Sequence, residues 1–127
     1  KYGVKVSPDL TEEDIEATIE LLTKSNASYI VTTNTTAKHN PEHINPSLGK
    51  GGASGAALYY LSLRTQRMFE KKLDDVQSKI EIIAVGGIDS ADRLKERTKS
   101  GRVKEVQVYT GLIFKGPRLL EELRRAA

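Results

Sequence analysis

The sequence of 127 residues contains no cysteine. A disulfide framework, a thiolate metal site and a thiol nucleophile are therefore excluded within it, and a reducing compartment is compatible without being required. No run approaches the roughly 20 consecutive apolar residues that span a bilayer. Lys1-Tyr2-Gly3-Val4-Lys5 does not read as a signal peptide, so the chain as given is expected to be soluble. Metal ligands are also scarce: His39 and His43 stand four apart in a Pro- and Asn-rich stretch with no third ligand nearby, and no metal is expected. No Gly-x-Gly-x-x-Gly follows the first strand-forming run, and Gly49-Lys50-Gly51-Gly52 lacks the spacing of a nucleotide P-loop.

What remains is an ordinary globular composition, 38% hydrophobic and 29% charged, with ten glycines and four prolines. A chain of this length can bury roughly two thirds of the surface its unfolded form exposes, which excludes disorder and allows one domain over residues 1–127. Residues 1–63 carry five Lys/Arg against seven Asp/Glu, and residues 64–127 carry fifteen against ten, giving net charges of −2 and +5. The basic half favours anions. Its positive residues are interleaved with Asp and Glu at helical spacing, as on a solvated helix face, rather than forming the one-signed stripe with aromatics that nucleic acid requires. No nucleic-acid partner is expected.

Val4 to Ser7 is a short β-prone run stopped by Pro8, and Thr11-Glu12-Glu13-Asp14 is a capping box opening a helix with Ile15, Ile19 and Leu22 on one face. Tyr29 to Thr32 reads as a strand buried on both faces. A long Asn-, Pro- and Gly-rich connection from Thr35 to about Ala57 precedes a helix stripe of Leu58, Leu61, Met68, Phe69 and Leu73; so long a loop is usually functional. Ile80 to Val85 predicts a third buried strand, Asp89 or Ser90 caps a helix carrying Leu94, and Gly101 suits a helix C-terminus. Val106 to Tyr109 predicts a fourth strand, and Pro117 the first residue of a last helix reaching Arg125.

Four βα units with buried strands predict an α/β fold with parallel strands wrapped by helices. A closed (β/α)₈ barrel needs roughly 250 residues, so the chain has the size of half a TIM barrel, (β/α)₄; a doubly wound sheet is the competing architecture. In either, ligands lie beyond the carboxyl ends of the strands. Those ends read Val6-Ser7-Pro8-Asp9, Thr33-Asn34-Thr35-Thr36, Val85-Gly86-Gly87 and Tyr109-Thr110-Gly111. Gly86-Gly87 before a capped helix suits a phosphate, with tight turns as the plainer reading. Lys5 inside a strand run is suited to stabilise negative charge on a bound ring or carbonyl, and alternatively guards an edge strand. Asn34 has the donors and acceptors needed to read amides or carboxylates, and as a lone residue is equally a turn former.

Taken together, Val4-Lys5-Val6-Ser7-Pro8-Asp9-Leu10-Thr11-Glu12-Glu13-Asp14, Thr33-Asn34-Thr35-Thr36, Gly51-Gly52-Ala53-Ser54-Gly55, Val85-Gly86-Gly87-Ile88 and Val106-Gln107-Val108-Tyr109-Thr110-Gly111 with Gly116-Pro117 resemble the C-terminal half of class 2 dihydroorotate dehydrogenases. The likeness runs through nearly the whole chain in order and spacing. It implies strands 5–8 of an FMN-binding (β/α)₈ barrel that oxidises dihydroorotate to orotate in pyrimidine synthesis and passes electrons to a membrane quinone. By resemblance, Lys5 contacts the flavin ring where an ammonium stabilises the reduced anion, and Thr33 touches the same ring. Asn34 and Thr35 match the positions that hold orotate. Gly55, Gly87, Tyr109 and Thr110 match those that hold FMN, the last three around its phosphate, and the loop from Thr36 to Ser54 matches the lid over the substrate, with Gly49 to Gly52 at its end.

The sequence also departs from the family pattern, which usually has Gly at Tyr29, Leu at Ala53, Pro at Ala57 and an alanine-glycine pair near Arg102 and Val103. The serine general base and the first four βα units have no counterpart, so no catalytic base is assigned here and the isolated half is expected to be inactive. The implied partners are dihydroorotate or orotate, a quinone, and the other half of the barrel or a second copy of this chain. The complete enzyme would be associated with the mitochondrial inner membrane or the bacterial cytoplasmic membrane. The alternatives are another FMN-dependent barrel oxidoreductase and a self-associating half-barrel assembly module.

Overall fold

In the computed structural model, which describes residues 1–38 and 51–127, capping and periodicity place the elements much as the sequence predicts. The order is β1 (Gly3–Val6), α1 (Glu12–Lys24), β2 (Tyr29–Thr32), a 3₁₀ turn (Gly55–Leu58), α2 (Tyr59–Asp75), β3 (Glu81–Val85), α3 (Ala91–Thr98), β4 (Val103–Gln107), α4 (Thr110–Lys115) and α5 (Arg118–Ala126). His39 and His43, most of the Thr36–Ser54 stretch, and Gly49-Lys50 lie outside the described residues.

Thr11 caps α1 reciprocally: its Oγ1 accepts from the Asp14 N–H at 3.1 Å while the Asp14 carboxylate accepts from the Thr11 N–H at 2.9 Å, satisfying donors that a helix start leaves unpaired. Ser90, rather than Asp89, caps α3 through an Oγ contact to the Arg93 N–H. Gly101 follows α3 at φ +74°, the left-handed geometry glycine tolerates.

The four strands form one parallel sheet in the order β1-β2-β3-β4. Val6, Ile30, Ile82 and Ala84 point toward the helices, where they meet Ile15, Ile19, Leu22, Phe69, Leu73, Leu94, Leu119 and Leu123 in one core. The alternate residues, including Lys5, Val31, Ile83 and Gln107, face the other side. The Thr32–Thr33 peptide is cis.

Three expectations need correction. β4 runs from Val103, three residues earlier than the sequence suggests, and ends at Gln107; Lys104 is an extra residue without a partner between the pairs Ile82–Val103 and Ile83–Glu105, a bulge that disguises the alternation. Burial on both faces does not extend to β1 and β4, where Val4, Lys5, Lys104, Glu105 and Gln107 are exposed: each has one strand neighbour among the described residues. Finally, Thr110–Lys115 is a separate helix, ended by Gly116 at φ +67°, and Pro117 is the N-cap of α5 rather than its first residue.

Candidate functional site

All eight residues singled out from the sequence, Lys5, Thr33, Asn34, Thr35, Gly55, Gly87, Tyr109 and Thr110, line one cavity of about 140 Å³ at the carboxyl ends of the strands. The topology explains the convergence. In a parallel sheet every strand ends on the same side, so the polar or glycine-rich termini that follow Val6, Thr32, Val85 and Gln107 meet along one edge.

Each terminus is held differently. Lys5 sits in the open edge strand β1 with its side chain exposed. The Asn34 N–H donates to the Val6 carbonyl at 2.7 Å, continuing the β1–β2 pairing one step past the strands, and the Asn34 Oδ1 accepts from the Thr35 N–H at 3.0 Å. Thr33 is 1% exposed, with its hydroxyl within hydrogen-bond distance of the Asn34 carbonyl and Ser62 Oγ. The hydroxyls of Thr110 and Ser54 meet at 3.0 Å, joining the two loops on the far side.

Glycines are obligatory at Gly86 and Gly87. Their φ values are +115° and +71°, and a Cβ would come within 2.7 Å of Ser62 Oγ at the first and within 2.6 Å of the Tyr59 Cβ at the second. The double-glycine turn thus lies directly on the first turns of α2. Arg93 fastens it from behind, donating to the Gly87 carbonyl and the Asp89 carboxylate at 3.0 Å each while its guanidinium stands 4.5 Å from the Tyr59 ring centroid. Burial raises the Tyr59 hydroxyl pKa, opposed by the charges of Arg97, Arg93 and Arg67.

Sequence reasoning missed part of the cavity lining and most of its support. Gln107 and Ser54 line the cavity; Gln107 follows from the alternation that puts Lys5 on the same face, once the bulge in β4 is counted. Ser62, Arg93 and Arg97 gave no signal, because a serine in an apolar stripe and arginines in a charged helix read as packing and solvated surface. Among the described residues no cluster of three or more His, Asp or Glu is placed to hold a metal ion, and no helix is long and apolar enough to cross a membrane.

A polar, glycine-built cleft at the carboxyl edge of an open four-stranded parallel sheet is the ligand face of a barrel-type α/β protein, with four of the eight βα units present. The dihydroorotate dehydrogenase family profile matches residues 2–126, and the chain belongs to that family. Among its relatives, the dihydroorotate dehydrogenase (quinone) of Bordetella pertussis is 38% identical over 125 residues, covering 98% of this chain and 35% of that protein. The protein of the same name from Rhodococcus erythropolis is 40% identical over 118 residues, covering 90% and 32%. The crystal structure of DHODH from Eimeria tenella in complex with ferulenol superimposes with a TM-score of 0.85 at 26% identity, over 98% of this chain and 32% of that one. The chain spans about a third of the length of the relatives it matches.

Proposed function

We propose that the chain is the C-terminal half, strands 5–8, of an FMN-dependent dihydroorotate dehydrogenase that passes electrons to quinone, and that it holds the FMN phosphate and one side of the substrate. The observation that carries this reading is the meeting in one cavity of all eight residues that the motifs assign to flavin and substrate. The cavity fits part of the group: at about 140 Å³ it is smaller than the roughly 300 Å³ at which pockets for whole organic ligands begin. The backbone of Gly55, Gly86, Gly87 and Gly111, the Thr110 hydroxyl and the Lys5 ammonium supply donors suited to a phosphate and an electron-rich ring.

In this reading Gly87, Tyr109 and Thr110 hold the phosphate, Gly55 contacts FMN beside them and Thr33 bounds the ring. Lys5 presents a fixed positive charge to the ring edge that gains electron density, the arrangement that lowers a barrier most when it is built in advance. Asn34 and Thr35 orient the substrate carboxylate and ring amides, so that only one face of the substrate meets the cofactor. FMN, when bound, supplies the acceptor for a hydride from the substrate. The serine general base and the rest of the flavin site belong to the other half of the barrel, without which turnover is not expected. Delivery of electrons to a quinone places the complete enzyme at a membrane. A second copy of this chain is the other candidate to cover the edges of β1 and β4.

The test is the visible spectrum of the complete polypeptide after incubation with FMN and removal of excess, repeated with orotate. Retained flavin with an orotate-dependent shift is the expected result; a colourless protein would overturn the reading.

A further inference from the structure

Arg97 is fully buried, although α3 carries it in the charged segment Asp92-Arg93-Leu94-Lys95-Glu96-Arg97. Its bonding partners are neutral. Nη1 donates to Ser62 Oγ at 2.8 Å, and Nη2 donates to the Thr32 carbonyl at 2.8 Å and the Val85 carbonyl at 3.1 Å. Among the described residues Nε has no hydrogen-bond partner and Arg97 makes no ion pair. Burial lowers its pKa to about 10, so it remains charged at neutral pH.

A buried cation without an ion-pair partner is costly even though the nearby Tyr59 and Glu70 favour its charged form, and an apolar side chain of similar length would fill the space without that cost. What an apolar residue cannot do is hold two carbonyls at once. Those two belong to the last residues of β2 and β3, immediately before Thr33-Asn34-Thr35 and Gly86-Gly87. The Val85 carbonyl also accepts from the Thr33 N–H at 2.8 Å and from Ser62 Oγ at 2.6 Å. Ser62 in turn lies against Gly86. The guanidinium is thus a tie between two loops that the sheet alone would leave to diverge beyond its last ladder bond.

We propose that Arg97 is a positioning residue for the ligand site, holding Thr33-Asn34-Thr35 against Gly86-Gly87 through the Thr32 and Val85 carbonyls and Ser62. Its role in FMN affinity rests on the function proposed above; its role in loop geometry does not.

The experiment compares Arg97→Met, Arg97→Lys, Ser62→Ala and Leu123→Ala with the wild type in the complete polypeptide. The readouts are FMN affinity by fluorescence quenching, thermal midpoint, and hydrogen exchange at the Thr33 and Asn34 amides without ligand. Leu123, in the α5 core, is the control for simple destabilisation. Arg97→Met is expected to weaken FMN by about tenfold or more and to speed exchange at Thr33 selectively, with Arg97→Lys recovering part of both; Leu123→Ala should lower the midpoint while leaving FMN affinity within about twofold. Equal effects of Arg97→Met and Leu123→Ala on affinity, with Thr33 protection unchanged relative to other core amides, would overturn the proposal. Should Arg97→Met fail to fold, Ser62→Ala and Arg97→Lys carry the same comparison. If the wild type binds no FMN, the functional reading fails, and the exchange data alone decide the role of Arg97.

Discussion

Tyr29 occupies the space that a side chain at Gly3 would need. The two residues are direct partners across β1 and β2, and a Cβ built on Gly3 collides with both the ring and the carbonyl oxygen of Tyr29. The bulk thus sits on β2 and the gap on β1.

Gly3→Ala should therefore destabilise the β1–β2 edge by about 1–3 kcal/mol, the usual cost of overpacking. Tyr29→Ala in the same chain should restore only part of the loss, because the clash with the backbone carbonyl remains. A double-mutant cycle in urea measures the coupling; full additivity would mean that the ring moves aside freely.

Gly87→Ala should be more severe. It places a Cβ against the Tyr59 backbone at a φ of +71°, so strain and collision add, at about 1–3 kcal/mol for the backbone conformation alone. FMN binding should be lost along with stability. Gly101→Ala is the matched control: its φ is +74° but nothing lies within 4 Å of an added Cβ, so it should carry the conformational strain and leave binding intact. Calorimetry and an FMN titration on both variants separate collision from strain.

How much of this was legible in the sequence depends on how local each signal is. The capping box at Thr11, the apolar stripe of α1 and the run Tyr29–Thr32 are local, and they lie where periodicity puts them. Lys5, Asn34 and the turns at Gly87 and Tyr109-Thr110 were legible because strand ends of a parallel sheet must converge, whereas Gly55 and the assignment of Thr33 and Thr35 came from the family resemblance. β4 was misplaced because one extra residue, Lys104, breaks its alternation. Arg97 was invisible for a different reason: its sequence neighbours are charged, and only packing α3 against the ends of β2 and β3 turns a surface arginine into a buried tie.

Acid should loosen the lower part of the loop network. Burial raises the Asp9 pKa, but hydrogen bonds from the Thr36 hydroxyl and the Ala37 N–H and the Lys38 charge outweigh it, leaving the pKa below the usual 3.8. Bonds from the Thr11 N–H and hydroxyl lower Asp14 likewise. Because both folded values are depressed, the stabilisation is fully present above the unfolded value near 3.8 and is lost as pH falls through the lower folded values. Urea midpoints should drop over that window, and Asp9→Asn with Asp14→Asn should flatten the drop. An unchanged acid limb in the double variant would assign it to other carboxylates.

Lys5 admits the sharpest discrimination, because its two readings predict different failures. It is exposed on edge strand β1, level with Val31 and Ile83 on the face away from the helices, and it lines the cavity. Lys5→Met should change folding stability by no more than about 0.5 kcal/mol, as for an exposed substitution. If the ammonium serves the flavin ring, removing it should make bound FMN harder to reduce. A charge-assisted contact worth about 1.5–3 kcal/mol corresponds to a midpoint potential lower by about 30–60 mV for two electrons. Lys5→Arg should keep most of the wild-type potential. If the lysine only guards the open edge of β1, the potential will not move, and Lys5→Met will instead self-associate more strongly in sedimentation, since the charge that interrupts strand pairing is gone.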